Sequence, residues 1–153
     1  MIEIPDASLQ DWLSGLKKYQ REQISALLKT EDEADVLLAA RSWTEATGAE
    51  AMQGFGGSAE KTKIFDELLA EFTKLICGKD QEYEADRKRI LSVLGTASSK
   101  TGALQGVVLL ISNLIAAKLG VVAAFLVTPT TLLLFIAGKV GVRAWCKSRG
   151  CPL

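Results

Sequence analysis

The sequence predicts an all-α fold, with an N-terminal amphipathic helical bundle followed by a hydrophobic C-terminal helical hairpin. Three observations predict it. Apolar residues recur at three- and four-residue spacing through the first hundred positions. No stretch shows the apolar–polar alternation of a half-buried strand. Glycines and small polar residues punctuate the periodic segments at 54–57, 78, 95 and 96–102.

Charge divides the chain in two. Residues 1–100 hold 13 Lys or Arg against 18 Asp or Glu, a net of −5. Residues 101–153 hold five basic residues and no acid, a net of +5, so the formal total of zero hides an acidic half and a basic, apolar half. At 153 residues and 48% hydrophobic composition the chain can build one real core. The division predicts an acidic helical module at 1–98, a linker at 99–102, a hydrophobic hairpin at 103–147 and a short basic tail at 148–153.

Each helix follows from its pattern. Leu9, Trp12, Leu13 and Leu16 share a face, with Asp6 or Ser8 as cap, and Ile24, Leu27 and Leu28 continue the pattern, so 7–29 reads as one helix or two short ones. Residues 33–47 form the next, with Val36, Leu37, Ala40 and Trp43 inward and acids at the dipole's positive end. Ser58 can cap a helix over 58–77 whose stripe runs Ile64, Phe65, Leu68, Leu69, Phe72, Leu75 and Ile76, with Gly78 as its stop. A fourth, over 80–94, turns Tyr83, Ile90, Leu91 and Leu94 inward and ADRKR outward, ending at Gly95. Trp12 and Trp43 are expected in the core.

Residues 119–138, LGVVAAFLVTPTTLLLFIAG, are twenty in a row without a charge. They divide in two ways. One is a single span of about a bilayer's thickness. The other is a hairpin with arms near 103–127 and 132–146, turning at TPTT (128–131), because a proline pushes its predecessor out of helical geometry. Basic residues before (Arg87, Lys88, Arg89, Lys100) and after (Arg143, Lys147, Arg149) place both hairpin ends on one face of a membrane. The same segment would equally serve as the apolar core of an all-helical protein.

In the membrane reading, Leu119, Val122, Phe125, Leu126, Pro129, Leu133 and Phe135 are the inserting residues. Gln105, Ser112, Asn113 and Lys118 face a lumen or a neighbouring subunit, since a lysine at mid-bilayer is costly otherwise. Lys139, Arg143, Trp145, Lys147 and Arg149 suit anionic headgroups, with Trp145 fitting either a membrane interface or a bundle end. Gly54, Gly56 and Gly57 form a hinge or tight interhelix turn. A phosphate reading of GFGGS fails on the absence of a G-x-x-x-x-G-K-[ST] lysine and of a preceding strand. Nucleic acid is not expected, because no aromatics interleave RKR at 87–89 or CKSRG at 146–150.

Catalytic and metal chemistry find little support. The chain has no histidine, and no nucleophile–base pair stands out, so an enzyme and a cofactor are not expected. Asp66, Glu67 and Glu71 are expected on a solvated face. The three cysteines, Cys77, Cys146 and Cys151, are odd in number and lack a C-x-x-C pair, which predicts no disulfide framework and a reducing compartment. The start, MIEIPDASLQDW, lacks an apolar h-region, so no signal peptide is expected. The expected location is cytoplasmic, with association to or insertion in the inner membrane. Lipid, further copies of the chain and a regulatory protein are the expected partners.

Three ordered landmarks resemble the YaaW-like family of small bacterial helical proteins. DASLQDWLSGLKKYQREQISALL (6–28) is similar to the family's D-x-x-L-x-x-L segment and its E-Q-L/I-x-x-L helix, through Asp6, Leu9, Glu22, Gln23, Ile24 and Leu27, with Trp12 in place of the second leucine. MQGFGGSAEK (52–61) is similar to its F-G-G segment through Phe55, Gly56 and Gly57. VTPTTLLLFIAGKVGVR (127–143) is like its C-terminal apolar helix. The resemblance implies an all-helical fold with an apolar C-terminal part, and carries no catalytic motif. Two functions follow as expectations: an oligomerising, membrane-permeabilising toxin, defence protein or secreted effector, or a helical interaction or regulatory module whose hairpin is its own core. A sealed-membrane scaffold is a third.

Overall fold

The computed structural model describes residues 2–51, 64–78, 81–96 and 99–150. Among them are eight helices and no strand: α1 (Leu9–Leu13), α2 (Lys18–Leu27), α3 (Glu33–Ala51), α4 (Ile64–Cys77), α5 (Glu84–Thr96), α6 (Lys100–Leu119), α7 (Ala123–Val140) and α8 (Val142–Ser148). The all-α expectation holds.

The acidic half supplies the wrapping. Ser8 caps α1 by accepting from the Asp11 amide at 3.1 Å, which satisfies one of the donors a helix start leaves open. The 7–29 segment is two helices because the chain leaves helical geometry at Lys17 (ψ 154°), where the Lys17 amide donates to the Gln20 side chain. Asp and Glu occupy the first turns of α3, α4 and α5, where the helix dipole favours them. The stripe of α4 is buried as its spacing requires: Ile64, Phe65, Leu68, Phe72, Leu75 and Ile76.

α7 is the centre of the molecule. It packs on α1, α3, α6 and α8, and α6 packs on α4 and α5 in turn. Core residues from both halves form one cluster, so the acidic and apolar halves are packed together. Trp43 of α3 stacks on Phe125 of α7 with ring centroids 5.5 Å apart, and Trp145 of α8 sets its edge to Phe72 of α4 at 6.0 Å. Trp12 and Trp43 are in the core as expected, and Trp145 joins them with no exposed surface.

Several expectations are corrected. The interarm turn is not TPTT: α6 ends at Leu119, Gly120 takes the left-handed conformation (φ 71°), and α7 begins at Ala123. Gly120 stops α6 because a residue without a Cβ takes that conformation at no steric cost, and the Gly120 and Val121 amides both close on the Ala116 carbonyl. Pro129 lies inside α7, where its missing N–H removes the bond to the Phe125 carbonyl, and packing on four helices offsets that loss. Lys100–Gly102 are not linker but the first turn of α6, capped by Ser99, whose hydroxyl accepts from the Gly102 amide at 3.0 Å.

Arg87, expected outward, is buried on α5, and its guanidinium donates to the Leu75 and Lys74 carbonyls at 2.9 Å each. Those carbonyls are among the last of α4; the Lys74 carbonyl also accepts from the Gly78 amide at 2.9 Å, and Arg87 adds donors to both from its neighbouring helix, capping α4. Leu91, expected inward, is 52% exposed. Cys77 and Cys146 are joined in a disulfide with Cα atoms 5.6 Å apart, where the sequence predicts no disulfide framework and offers Cys146 and Cys151 as the only conceivable pair. Counting cysteines in sequence could not foresee a bridge across 69 residues. The proposed hinge, Gly54, Gly56 and Gly57, and the Ser58 cap lie outside the described residues.

Candidate functional site

The element that carries the functional question is the α6–α7 pair. α6 has 20 residues and α7 has 18, each long and apolar enough to cross a bilayer by length and composition. They are joined by the uncharged Gly120–Val121–Val122. Burial differs between them: 72% of the apolar window of α7 is buried, against 44% for α6. α7 is thus the inner arm and α6 the partly exposed one.

The anticipated inserting residues divide accordingly. Phe125, Leu126, Pro129, Leu133 and Phe135 are buried on α7, and Leu119 is half-buried. Val122, at the turn, is 58% exposed. The outer face of α6 shows Leu109.

The four polar residues of α6 do not share one face. Gln105 lines a cavity of about 60 Å³ with Trp12, Gly15 and Thr131. Ser112 is buried and its hydroxyl has no hydrogen-bond partner. Asn113 is exposed, and its amide donates back to the Leu109 carbonyl at 2.8 Å. Lys118 stands one residue before the end of α6. With the turn at Gly120–Val122, it belongs to the tip of the hairpin and not to the middle of an arm.

The acidic half meets the cations of this region one by one. Lys118 pairs with Glu82 and lies 3.8 Å from Glu71. It also sits 4.3 Å over the Tyr83 ring, and the Tyr83 hydroxyl donates to Glu71 at 2.5 Å. Lys100, at the other end of α6, is 3.5 Å from Asp11. Lys139, at the end of α7, donates to the Glu31 carbonyl at 2.9 Å. Arg149, past α8, is 3.2 Å from Glu33 and stacks 4.3 Å over Trp145. Glu71, expected on a solvated face, is instead a shared acceptor with its side chain only 18% exposed. Apart from Arg149 over Trp145, four residues apart, sequence spacing had no signal for these pairings, because they join residues well separated in the chain.

Of the expected headgroup residues, Arg143 and Lys147 are exposed on one side of α8, four residues apart, as one helical turn requires. Lys139 is exposed but bonded, Arg149 is half-buried and paired, and Trp145 is buried.

One end of the bundle gathers several ties. Ile2 and Ile4 are buried, and the Ile2 amide donates to the Ile76 carbonyl at 2.9 Å, so the chain's start lies as a strap over the end of α4. The same strap crosses α7 at Gly138, against Pro5. Beside it the Cys77–Cys146 disulfide joins α4 to α8. A cleft of about 280 Å³ between Glu3 and Ile4 on one side and Gly141, Val142 and Arg143 on the other opens at this end. Among the described residues no three Asp, Glu, Cys or His side chains converge to hold a metal. Compared with protein-family models, curated proteins and solved structures, the chain finds no match.

Proposed function

We propose that the chain is a membrane-active helical protein that stores an insertion-competent hairpin, α6–α7, inside its own acidic helices, as an effector or defence protein that permeabilises a bilayer would. The observation that carries this reading is the position of the turn. With the turn at Gly120–Val122, both arms reach about 30 Å or a little less at 1.5 Å per residue, close to a hydrocarbon core. Lys118 then lies at the hairpin tip, where it reaches the far interface, and the cost of a lysine at mid-bilayer does not arise. Lys139, Arg143 and Lys147 remain together at the other end, with the start of α6. That arrangement suits anionic headgroups on the cytoplasmic face.

In the stored state the charge split has a role. The acidic module supplies the partners of Lys100, Lys118, Lys139 and Arg149, and α3 and α8 cover the apolar face of α7. Release would exchange those partners for water and headgroups. The location that fits is the inner-membrane surface, with self-assembly after insertion. Resemblance to the YaaW-like family agrees with the helical architecture and adds no reaction.

A second reading rests on the 72% burial of α7, which is what the core helix of a helical interaction module would show. Flotation of the detergent-free chain with anionic and neutral liposomes, followed by dye release, separates the two. Flotation with release supports membrane activity. A sharp monomer that never floats and never releases dye, across pH and concentration, supports the interaction module and overturns the first.

A further inference from the structure

The Cys77–Cys146 disulfide stands where a covalent tie has most control over the hairpin. Cys77 is the last residue of α4, in the acidic module. Cys146 is on α8, immediately beyond the inner arm α7 and separated from it by Gly141 alone. Apart from the chain itself at Gly141, the other described ties of α8 and the residue after it are noncovalent: its packing on α4 and α7, the Trp145 edge on Phe72, and the Arg149–Glu33 pair. The bridge therefore fixes the exit end of the hairpin to the shell that covers it, across 69 residues of chain. Among the described residues the turn end of the hairpin is held by noncovalent contacts, the Trp43–Phe125 stack and Lys118 with its partners, and the ion pairs exchange with water and ions at far lower cost.

We infer that this disulfide is a redox latch: a dithiol reductant opens it, and opening it frees α8 and the hairpin behind it. The inference rests on the membrane reading for its consequence, and on the fold alone for the latch. Both sulfurs are buried, Cys77 1% and Cys146 0% exposed, so a reductant reaches them only when the strap or α8 lifts. A cleft lined by Glu3, Ile4, Gly141, Val142 and Arg143 opens between the strap and the start of α8. Arg143 lies about one turn before Cys146, where a guanidinium favours an incoming thiolate, while Glu3 on the opposite lip opposes it.

The chemistry balances without a further reactant. One thiolate of the dithiol attacks a protein sulfur and forms a mixed disulfide, and the other protein sulfur leaves as thiolate and takes up a proton. The second thiol of the reductant then displaces the remaining protein sulfur. Two electrons and two protons pass to Cys77 and Cys146, and the dithiol leaves as its own disulfide. Dithiol reductants of this class hold cytosolic thiols reduced and are lacking in oxidising compartments. A chain oxidised outside a cell stays latched, and the same chain inside a reducing cytoplasm unlatches.

The test uses the full chain, oxidised, with and without dithiothreitol at neutral pH. Three cysteines with two paired predict one titratable thiol per chain before reduction and three after. Hydrogen exchange over 142–148 should speed at least ten-fold on reduction, and dye release from anionic vesicles should speed by a similar factor. The double variant Cys77→Ser/Cys146→Ser should behave as the reduced chain in the absence of reductant. Three thiols in the untreated chain, or unchanged exchange over 142–148 after full reduction, overturns the latch. Equal release by oxidised and reduced chains also overturns it and leaves the membrane reading standing. If neither form releases dye, the membrane reading fails, and the exchange of 142–148 alone decides the latch.

Discussion

The backbone carbonyl of Pro5 lies directly against the Cα of Gly138, so close that a Cβ at 138 would collide with it. The strap and α7 touch backbone to backbone, which only a glycine permits. Gly138→Ala must therefore displace the strap, and a loss of about 1–3 kcal/mol is expected, typical of an overpacked core. Gly95→Ala is the control. Nothing lies within 4 Å of a Cβ on Gly95 in α5, so the better helix former should gain about 0.5–1 kcal/mol. Urea midpoints of the two variants should move in opposite directions; movement in the same direction refutes the backbone contact.

Much of the helical fold is legible in the sequence, and the strap's contact with α7 is not. The spacing of α4 announced its buried stripe, and the acid-rich helix starts announced their polarity. The I-x-I-P start carries a signal of its own: Ile2 and Ile4, two apart, both bury ahead of α1. In the hairpin, Pro129 drew the turn toward TPTT because proline is the stronger local breaker in isolation. Tertiary packing on four helices outweighed that preference, and Gly120, with a free choice of φ, became the stop. Arg87 misled for another reason. A charge is assigned to solvent by default, and only the fold shows that the last carbonyls of α4 lie within reach.

Arg87 makes the second prediction. Its guanidinium donates to two consecutive carbonyls at the end of α4, and it is nearly fully buried. Arg87→Met keeps the aliphatic stem and removes the donors. Removing both donors should cost about 2 kcal/mol, mostly at the Leu75 carbonyl, because the Lys74 carbonyl keeps the Gly78 amide. Arg87→Lys should restore only part of this, because one ammonium lacks the planar fork that reaches both acceptors. Thermal unfolding of the three proteins checks the order wild type, Lys, Met; a Met variant as stable as the wild type removes Arg87 as a cap.

Lys118 separates stability from membrane crossing. Its partners are Glu71, Glu82 and the Tyr83 ring, with the Lys118 side chain 32% exposed and Glu82 49% exposed. At that exposure, Lys118→Leu should change folding stability by no more than about 1 kcal/mol. Membrane insertion should respond more strongly. The tip must cross the hydrocarbon, and a leucine there removes a crossing penalty of about 2.5–3.5 kcal/mol for a lysine at mid-bilayer. Dye release faster than wild type, with unchanged urea midpoint, is the expected outcome. Slower release would return Lys118 to a lumen-lining role.

The core of the hairpin holds hydroxyls without partners. Ser112 on α6 and Thr128 and Thr130 on α7 are buried, and none has a hydrogen bond. Neighbouring Thr131 differs, donating to the Val127 carbonyl at 2.7 Å. A buried hydroxyl without a partner opposes the packed state, so Thr130→Val, nearly the same shape, should stabilise the fold by about 1 kcal/mol. Thr131→Val deletes a satisfied group and should gain nothing. In the membrane reading the same hydroxyls keep the stored hairpin from being held too well, and Thr130→Val should then slow release while raising the urea midpoint. A Thr130→Val protein that is both more stable and equally fast would show that hairpin release does not pass through unpacking of α7 from its neighbours.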